Sequence, residues 1–129
     1  MSDFKQAQLM LRMARKDFKA LKGMLDIEIF EEEIFGFHAQ QTIEKTLKGW
    51  IAFLGYEYPL THDISTLLEF LEVNGLDVGR YRNLVEYNTF AVRFRYEAFD
   101  ASEEPLNRKE TLREVEELIR HIEKLIASK

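Results

Sequence analysis

The chain has 129 residues, 46% of them apolar and 32% charged, a composition that suits one soluble, folded domain and not a disordered chain. A net charge of −5 supplies no global basic field for nucleic acid, although a local basic patch remains open. With no cysteine there is no disulfide framework, no thiolate zinc site and no cysteine nucleophile.

The N-terminal MSDFKQAQLM carries charges at Asp3 and Lys5 and no long apolar run, so neither a signal peptide nor a membrane span is expected and the cytoplasm is the expected location. A first helix is predicted from about Asp3 to Lys22, with Phe4, Ala7, Met10 or Leu11, Ala14 and Phe18 at three- and four-residue spacing and Gly23 to close it. MLDIEIF (24–30) alternates like a strand but has no partner, and reads as a loop or as early turns of the next helix. A second helix is predicted from about Glu31 to Leu54, its start favoured by Glu31, Glu32 and Glu33 and its end by Gly55. Phe35, Ala39, Ile43, Leu47, Trp50, Ile51 and Leu54 give it a broad core face, while His38, Gln41, Glu44, Lys45 and Lys48 fall on the opposite arc.

Pro59 breaks the connection YEYPLTHD (56–63), and Thr61 or Asp63 is placed to cap a third helix, about His62 to Val73, burying Ile64, Leu67, Leu68 and Leu71. A fourth is predicted over about Val78 to Phe99, with Tyr81, Leu84, Val85, Asn88, Ala91 or Val92 and Arg95 on one side. DASEEPLN (100–107) reads as an exposed loop. Asn107 and Glu110 then form a capping box for a last helix, 107–127, whose stripe runs through Leu112, Val115, Leu118 or Ile119, Ile122 and Leu125 or Ile126. Short connections favour antiparallel neighbours, so the expected fold is a single all-α domain over 1–129, an antiparallel up-and-down bundle of four to five helices. Ten Phe, five Tyr and one Trp exceed what a small bundle needs, and they read either as cover for a homodimer interface or as leftover core bulk.

No metal or cofactor is expected. His38, His62 and His121 lie on separate segments, and the positions three before them hold Phe35, Pro59 and Leu118, so the Glu-x-x-His pairs of dinuclear bundles are missing. No serine sits in a GxSxG elbow, and no phosphate-cradling glycine loop is present. Three polar groups remain. His38, Gln41, Lys45 and Lys48 make a stripe on the second helix that spacing alone reads as a solvated face with a Glu44–Lys48 pair. Thr61-His62-Asp63 reads first as a helix cap. In GRYRNLVEYNTFAVRFRYE, arginines 80, 82, 93 and 95 alternate with Tyr81, Tyr87, Phe94 and Tyr96, a pattern that suits phosphate pairing with base stacking, or bridging to Glu86 and Glu97.

FHAQQTIEKTLKGWIAFLG (37–55), Thr61-His62-Asp63-Ile64, Leu67-Leu68 and LVEYNTFAVRFRYE (84–97) together resemble the HEPN family, small helical domains named for higher eukaryotes and prokaryotes nucleotide-binding, over roughly residues 3 to 126. The resemblance implies an antiparallel homodimeric bundle. It also implies association with a minimal nucleotidyltransferase or a role in a two-component, toxin–antitoxin-like system, and in one branch ribonuclease activity. That branch needs an arginine and a histidine with four to six residues between them. Here Arg82-Asn83 begins such a motif, but Tyr87, Asn88 and Thr89 stand where the histidine should fall, and tyrosine titrates near 10. Proline is also replaced by Glu97 after Arg95-Tyr96. The expectation is therefore a non-catalytic binding module for a nucleotide or RNA-like ligand, or for a nucleotidyltransferase, with no membrane association. Lys45, Lys48, Arg93 and Arg95 would pair phosphates or carboxylates, His38, Gln41 and His62 would hydrogen-bond, and Tyr96 would stack. The alternative is a metal-independent ribonuclease with a degenerate motif, in which Arg82 is the weak catalytic candidate.

Overall fold

The structure is a computed structural model that describes residues 3–91 and 105–128. Its elements are α1 (Phe4–Lys22), α2 (Glu32–Phe53), α3 (Ile64–Val73), a 3₁₀ helix (Gly79–Asn88) whose last residue leads into helical 89–91, and α4 (Arg108–Ala127). No strand occurs among the described residues, and none of their helices is long and apolar enough to cross a membrane. The all-α bundle expected from the sequence is the fold observed.

The caps are the ones the side chains dictate. Asp3 accepts from Gln6 N, Asp63 from Ser65 N and Asn107 from Glu110 N, each satisfying a helix-end N–H that has no partner within the helix. Glu31 stands at the N-cap of α2 without a side-chain cap bond, while Glu32 and Glu33 occupy the first turn, where the helix dipole favours negative charge. After α3, Gly75 turns the chain at φ +90°, a conformation that costs other residues a Cβ clash.

α1 and α2 form an antiparallel hairpin: Asp3 N donates to Ala52 O at one end, and Asp17 meets Lys45 toward the other. α4 returns antiparallel to α1, with Arg15 gripping Glu123 through two hydrogen bonds of 2.9 and 2.6 Å. α3 and the 3₁₀ helix make a second antiparallel pair, joined by Ile64 N to Asn88 Oδ1 (2.8 Å) at one end and Glu72 to Arg82 at the other. Phe18, Phe35, Ile43, Leu47, Trp50, Leu67, Tyr87, Leu118 and Ile122 lie among the buried side chains of one continuous core.

Two expectations change. The predicted fourth α-helix is a 3₁₀ helix through Asn88, because Val78, Tyr81, Leu84, Tyr87 and Phe90 are all buried and recur every three residues. A helix with three residues per turn lines up such a stripe, whereas an α-helix would rotate it away from the core. Second, the polar arc of α2 is not its wet side. Glu44 and Lys48 are buried, and Thr42 and Thr46 are fully so, their hydroxyls donating to the carbonyls of His38 (2.8 Å) and Thr42 (2.7 Å) one turn back. α2 is the central helix of the bundle and is covered on nearly every side.

The 24–30 segment is a loop, and it is held by Arg108 at the start of α4. That buried guanidinium donates to the carbonyls of Met24 (2.8 Å) and Phe30 (2.6 Å) and lies 5.0 Å over the Phe35 ring. At Gly36 of α2 the Phe90 ring approaches so closely that a Cβ would overlap it, so glycine is what lets the helix and that ring meet.

Candidate functional site

α2 sends Gln40, Glu44 and Lys48, spaced one turn apart, toward the connection before α3. Glu44 is the hub. Its Oε2 accepts from Lys48 Nζ at 3.0 Å, while its Oε1 meets His62 Nδ1 at 2.9 Å and accepts from Gln40 Nε2 at 3.2 Å. Gln40 Nε2 also donates to the main-chain oxygen of His62 at 2.8 Å, which ties the connection to the helix, and Gln41 joins by donating to Gln40 Oε1 at 2.8 Å. Lys48 lies 5.4 Å over the ring of Tyr58, so its ammonium has both a carboxylate and an aromatic face. The His62 ring stays 74% exposed while its partner Glu44 is 6% exposed, so the histidine is the point at which this buried network reaches solvent.

Beside it, a recess of about 360 Å³ is lined by Thr61, His62, Asp63, Asn88 and Ala91. Asp63 accepts from Asn88 Nδ2 (2.7 Å) and from the amide and hydroxyl of Ser65. The Ser65 hydroxyl, the largest influence, holds its carboxyl below the usual carboxylate range against the opposing effect of burial, and the Asn88 amide adds to the lowering. The recess thus carries a fixed carboxylate and an exposed imidazole on neighbouring residues.

The structure brings Lys48, His62 and Gln41 of the expected site residues into this one network. Lys45 faces α1 instead and is paired with Asp17. His38 packs edge-on to Phe37 at 5.8 Å, and its Nδ1 is buried with no hydrogen-bond partner among the described residues. Arg93, Arg95 and Tyr96 lie outside the described residues. Arg82 is paired with Glu72, and two of the three side chains where a histidine was sought are engaged: Tyr87 is buried with its hydroxyl 2.7 Å from Thr111 Oγ1, and Asn88 braces the start of α3. Burial pushes the Tyr87 hydroxyl far above its ordinary pKa.

The sequence reading missed Gln40 and Glu44 as the organising pair. Their signal was present in the four-residue ladder 40, 44 and 48, three polar groups that fall on one line of an α-helix. No group of three or more histidine and acidic side chains able to hold a metal ion occurs among the described residues.

The model of the HEPN domain matches residues 7–129, and the chain belongs to the HEPN family. That membership supports a nucleotide- or RNA-related module in general terms. Neither the curated proteins nor the solved structures contain a significant match to the chain.

Proposed function

We propose that this chain is a non-catalytic HEPN binding module that takes a nucleotide or RNA-like ligand, or a minimal nucleotidyltransferase partner, at the face formed by His62, the Glu44 network and the recess beside them. The observation that carries the reading is the coupling of exposed His62 to buried Glu44: a ligand that engages the imidazole acts on a network anchored in the central helix. Support for the non-catalytic part comes from Tyr87 and Arg82. The ribonuclease branch needs a group that exchanges protons near neutral pH beside its arginine. Here the tyrosine is buried and bonded to Thr111, and the arginine is engaged by Glu72. Arg93, Arg95 and Tyr96 follow Ala91, a wall of the recess, and belong to the same binding reading on sequence grounds. Homodimerisation and a place in a two-component system are part of it, and fully exposed Leu60 with largely exposed Ile27 and Ile29 supply apolar surface for association.

The test is a titration of nucleotides and short RNA against the purified chain, alone and with a nucleotidyltransferase encoded beside it, in wild type and His62→Ala. A ligand at 100 times its Kd stabilises by about 2.7 kcal/mol, which a melting curve resolves readily. Loss of the shift in His62→Ala is the expected result. Absence of binding in every combination refutes the reading, and RNA cleavage that Arg82→Ala abolishes refutes its non-catalytic part.

A further inference from the structure

A second constellation shares no lining residue with the His62 recess. On the 3₁₀ helix, Arg80 folds over the ring of Tyr81, 4.9 Å from its centre, and its Nη2 donates to the Tyr81 hydroxyl at 2.7 Å. The hydroxyl oxygen lies 2.6 Å from His121 Nδ1 on α4, and the two rings stack at 5.8 Å. The Tyr81 oxygen accepts from Arg80, and which of the Tyr81 hydroxyl and His121 Nδ1 donates to the other is set by the imidazole tautomer. In the tautomer where Tyr81 donates, the neutral imidazole carries its hydrogen on Nε2, and in the imidazolium both ring nitrogens carry one. Nε2 has no protein partner among the described residues, and His121 is one of the walls of an open recess of about 860 Å³ between α1, the 3₁₀ helix and α4. The relay therefore holds in place an imidazole that lines the recess and has Nε2 left to donate when that nitrogen is protonated.

The charges around it are unequal. Arg15, Arg80, Arg120 and Lys124 line the recess against Glu117 and Glu123. Glu123 is taken by Arg15, Glu117 by Arg113 at 3.1 Å, and Arg120 is satisfied by Glu116 at 2.8 Å. Arg80 and Lys124 are left with no carboxylate partner among the described residues. Two cations without a carboxylate partner and the imidazole form a set of hydrogen-bond donors that matches an oxyanion, while the two carboxylates of the recess are already paired. A surface position costs the ligand little desolvation, and the stacked Tyr81 and Trp50 behind the imidazole fix its plane.

We propose that this recess binds the phosphate group of a small phosphorylated molecule, with Arg80 and Lys124 supplying the charge and His121 Nε2–H the directed hydrogen bond. The site is separate from the one proposed above and does not depend on it.

Trp50 provides the readout. It is the chain's single tryptophan, it is buried, and its ring stands edge-on to His121 at 5.3 Å and to Tyr81 at 6.2 Å, so a change at the imidazole alters its fluorescence. The full chain is titrated with inorganic phosphate, pyrophosphate, adenosine monophosphate and adenosine at constant ionic strength. Saturable change with the three phosphate-bearing probes and none with adenosine is expected. Equal response to inorganic phosphate and the nucleotide assigns the site to a bare phosphate group, and preference for the nucleotide assigns it to a phosphorylated nucleoside. Arg80→Met and Lys124→Met should each weaken binding about ten-fold or more, while Lys109→Met, an exposed position on the same helix with the same loss of charge, should not. Lys124 is exposed, so its variant tests the site even where Arg80→Met fails to fold. No saturable response to any phosphate-bearing probe, or equal weakening by all three variants, overturns the proposal.

Discussion

Lys48→Met removes the cation from a pair whose members are only 10% and 6% exposed. At an effective dielectric of about 20, unit charges 3.0 Å apart attract by about 5.5 kcal/mol, and withdrawing both from water offsets much of that. The net value of the pair is therefore modest. The cost of breaking it is not, because the Glu44 carboxylate stays buried with only Gln40 and His62 to satisfy it. Lys48→Met should lose about 3 kcal/mol, and Glu44→Gln, which leaves a neutral amide able to keep some of the bonds, about 2 kcal/mol. In the double variant neither charge is stranded, so its loss should fall short of the sum of the two by about 2 kcal/mol. Urea unfolding at pH 7 measures all three, with an unchanged slope confirming that the unfolded state is comparable. Single losses below about 1 kcal/mol that simply add would mean a solvated surface pair, and the network described here would be wrong.

Gly36→Ala gains about 1 kcal/mol of helix propensity but forces a methyl into the Phe90 ring, so a net loss of about 1–3 kcal/mol is expected in thermal unfolding; a gain would show that the ring has room to move. Arg108→Met strands the carbonyls of Met24 and Phe30 and should cost about 2–3 kcal/mol, with faster amide exchange across 24–30; an unchanged exchange pattern contradicts the stapling role. Asp63→Ala removes the cap of α3 and should cost about 1 kcal/mol at pH 7. Since the folded Asp63 carboxyl is held below its unfolded value, that contribution is present above about pH 4 and disappears as pH falls through the lower folded value. The wild-type and Asp63→Ala curves should therefore converge in acid. His121 is held below the ordinary histidine pKa, by burial first and by Arg80 second, so the unfolded chain takes up a proton that the fold resists. Its contribution is present above about pH 6.5 and is lost as pH falls through the folded value, a slope that His121→Gln should flatten in melts between about pH 5 and 8.

Much of the bundle was written in the sequence because it depends on local chemistry. The apolar stripes of α1, α3 and α4 follow the helical period, and Asp3, Asp63 and Asn107 cap where the short polar side chains stand. The family, too, was legible in the block from Phe37 to Gly55 and the Thr-His that follows. Three matters were decided only by the assembled fold. Val78, Tyr81, Leu84, Tyr87 and Phe90 repeat every three residues, but nothing in that spacing says the core lies on that side until α2 and α3 are in place. Likewise, Glu44 and Lys48 on an isolated helix are an ordinary pair one turn apart. Only packing of the 56–63 connection over α2 buries them, brings His62 to 2.9 Å from Glu44 and makes the polar arc a network. Tyr81 and His121 are 40 residues apart and meet because α4 folds back beside the 3₁₀ helix. Periodicity reports which side chains share a face; which face becomes interior is set by what packs against it.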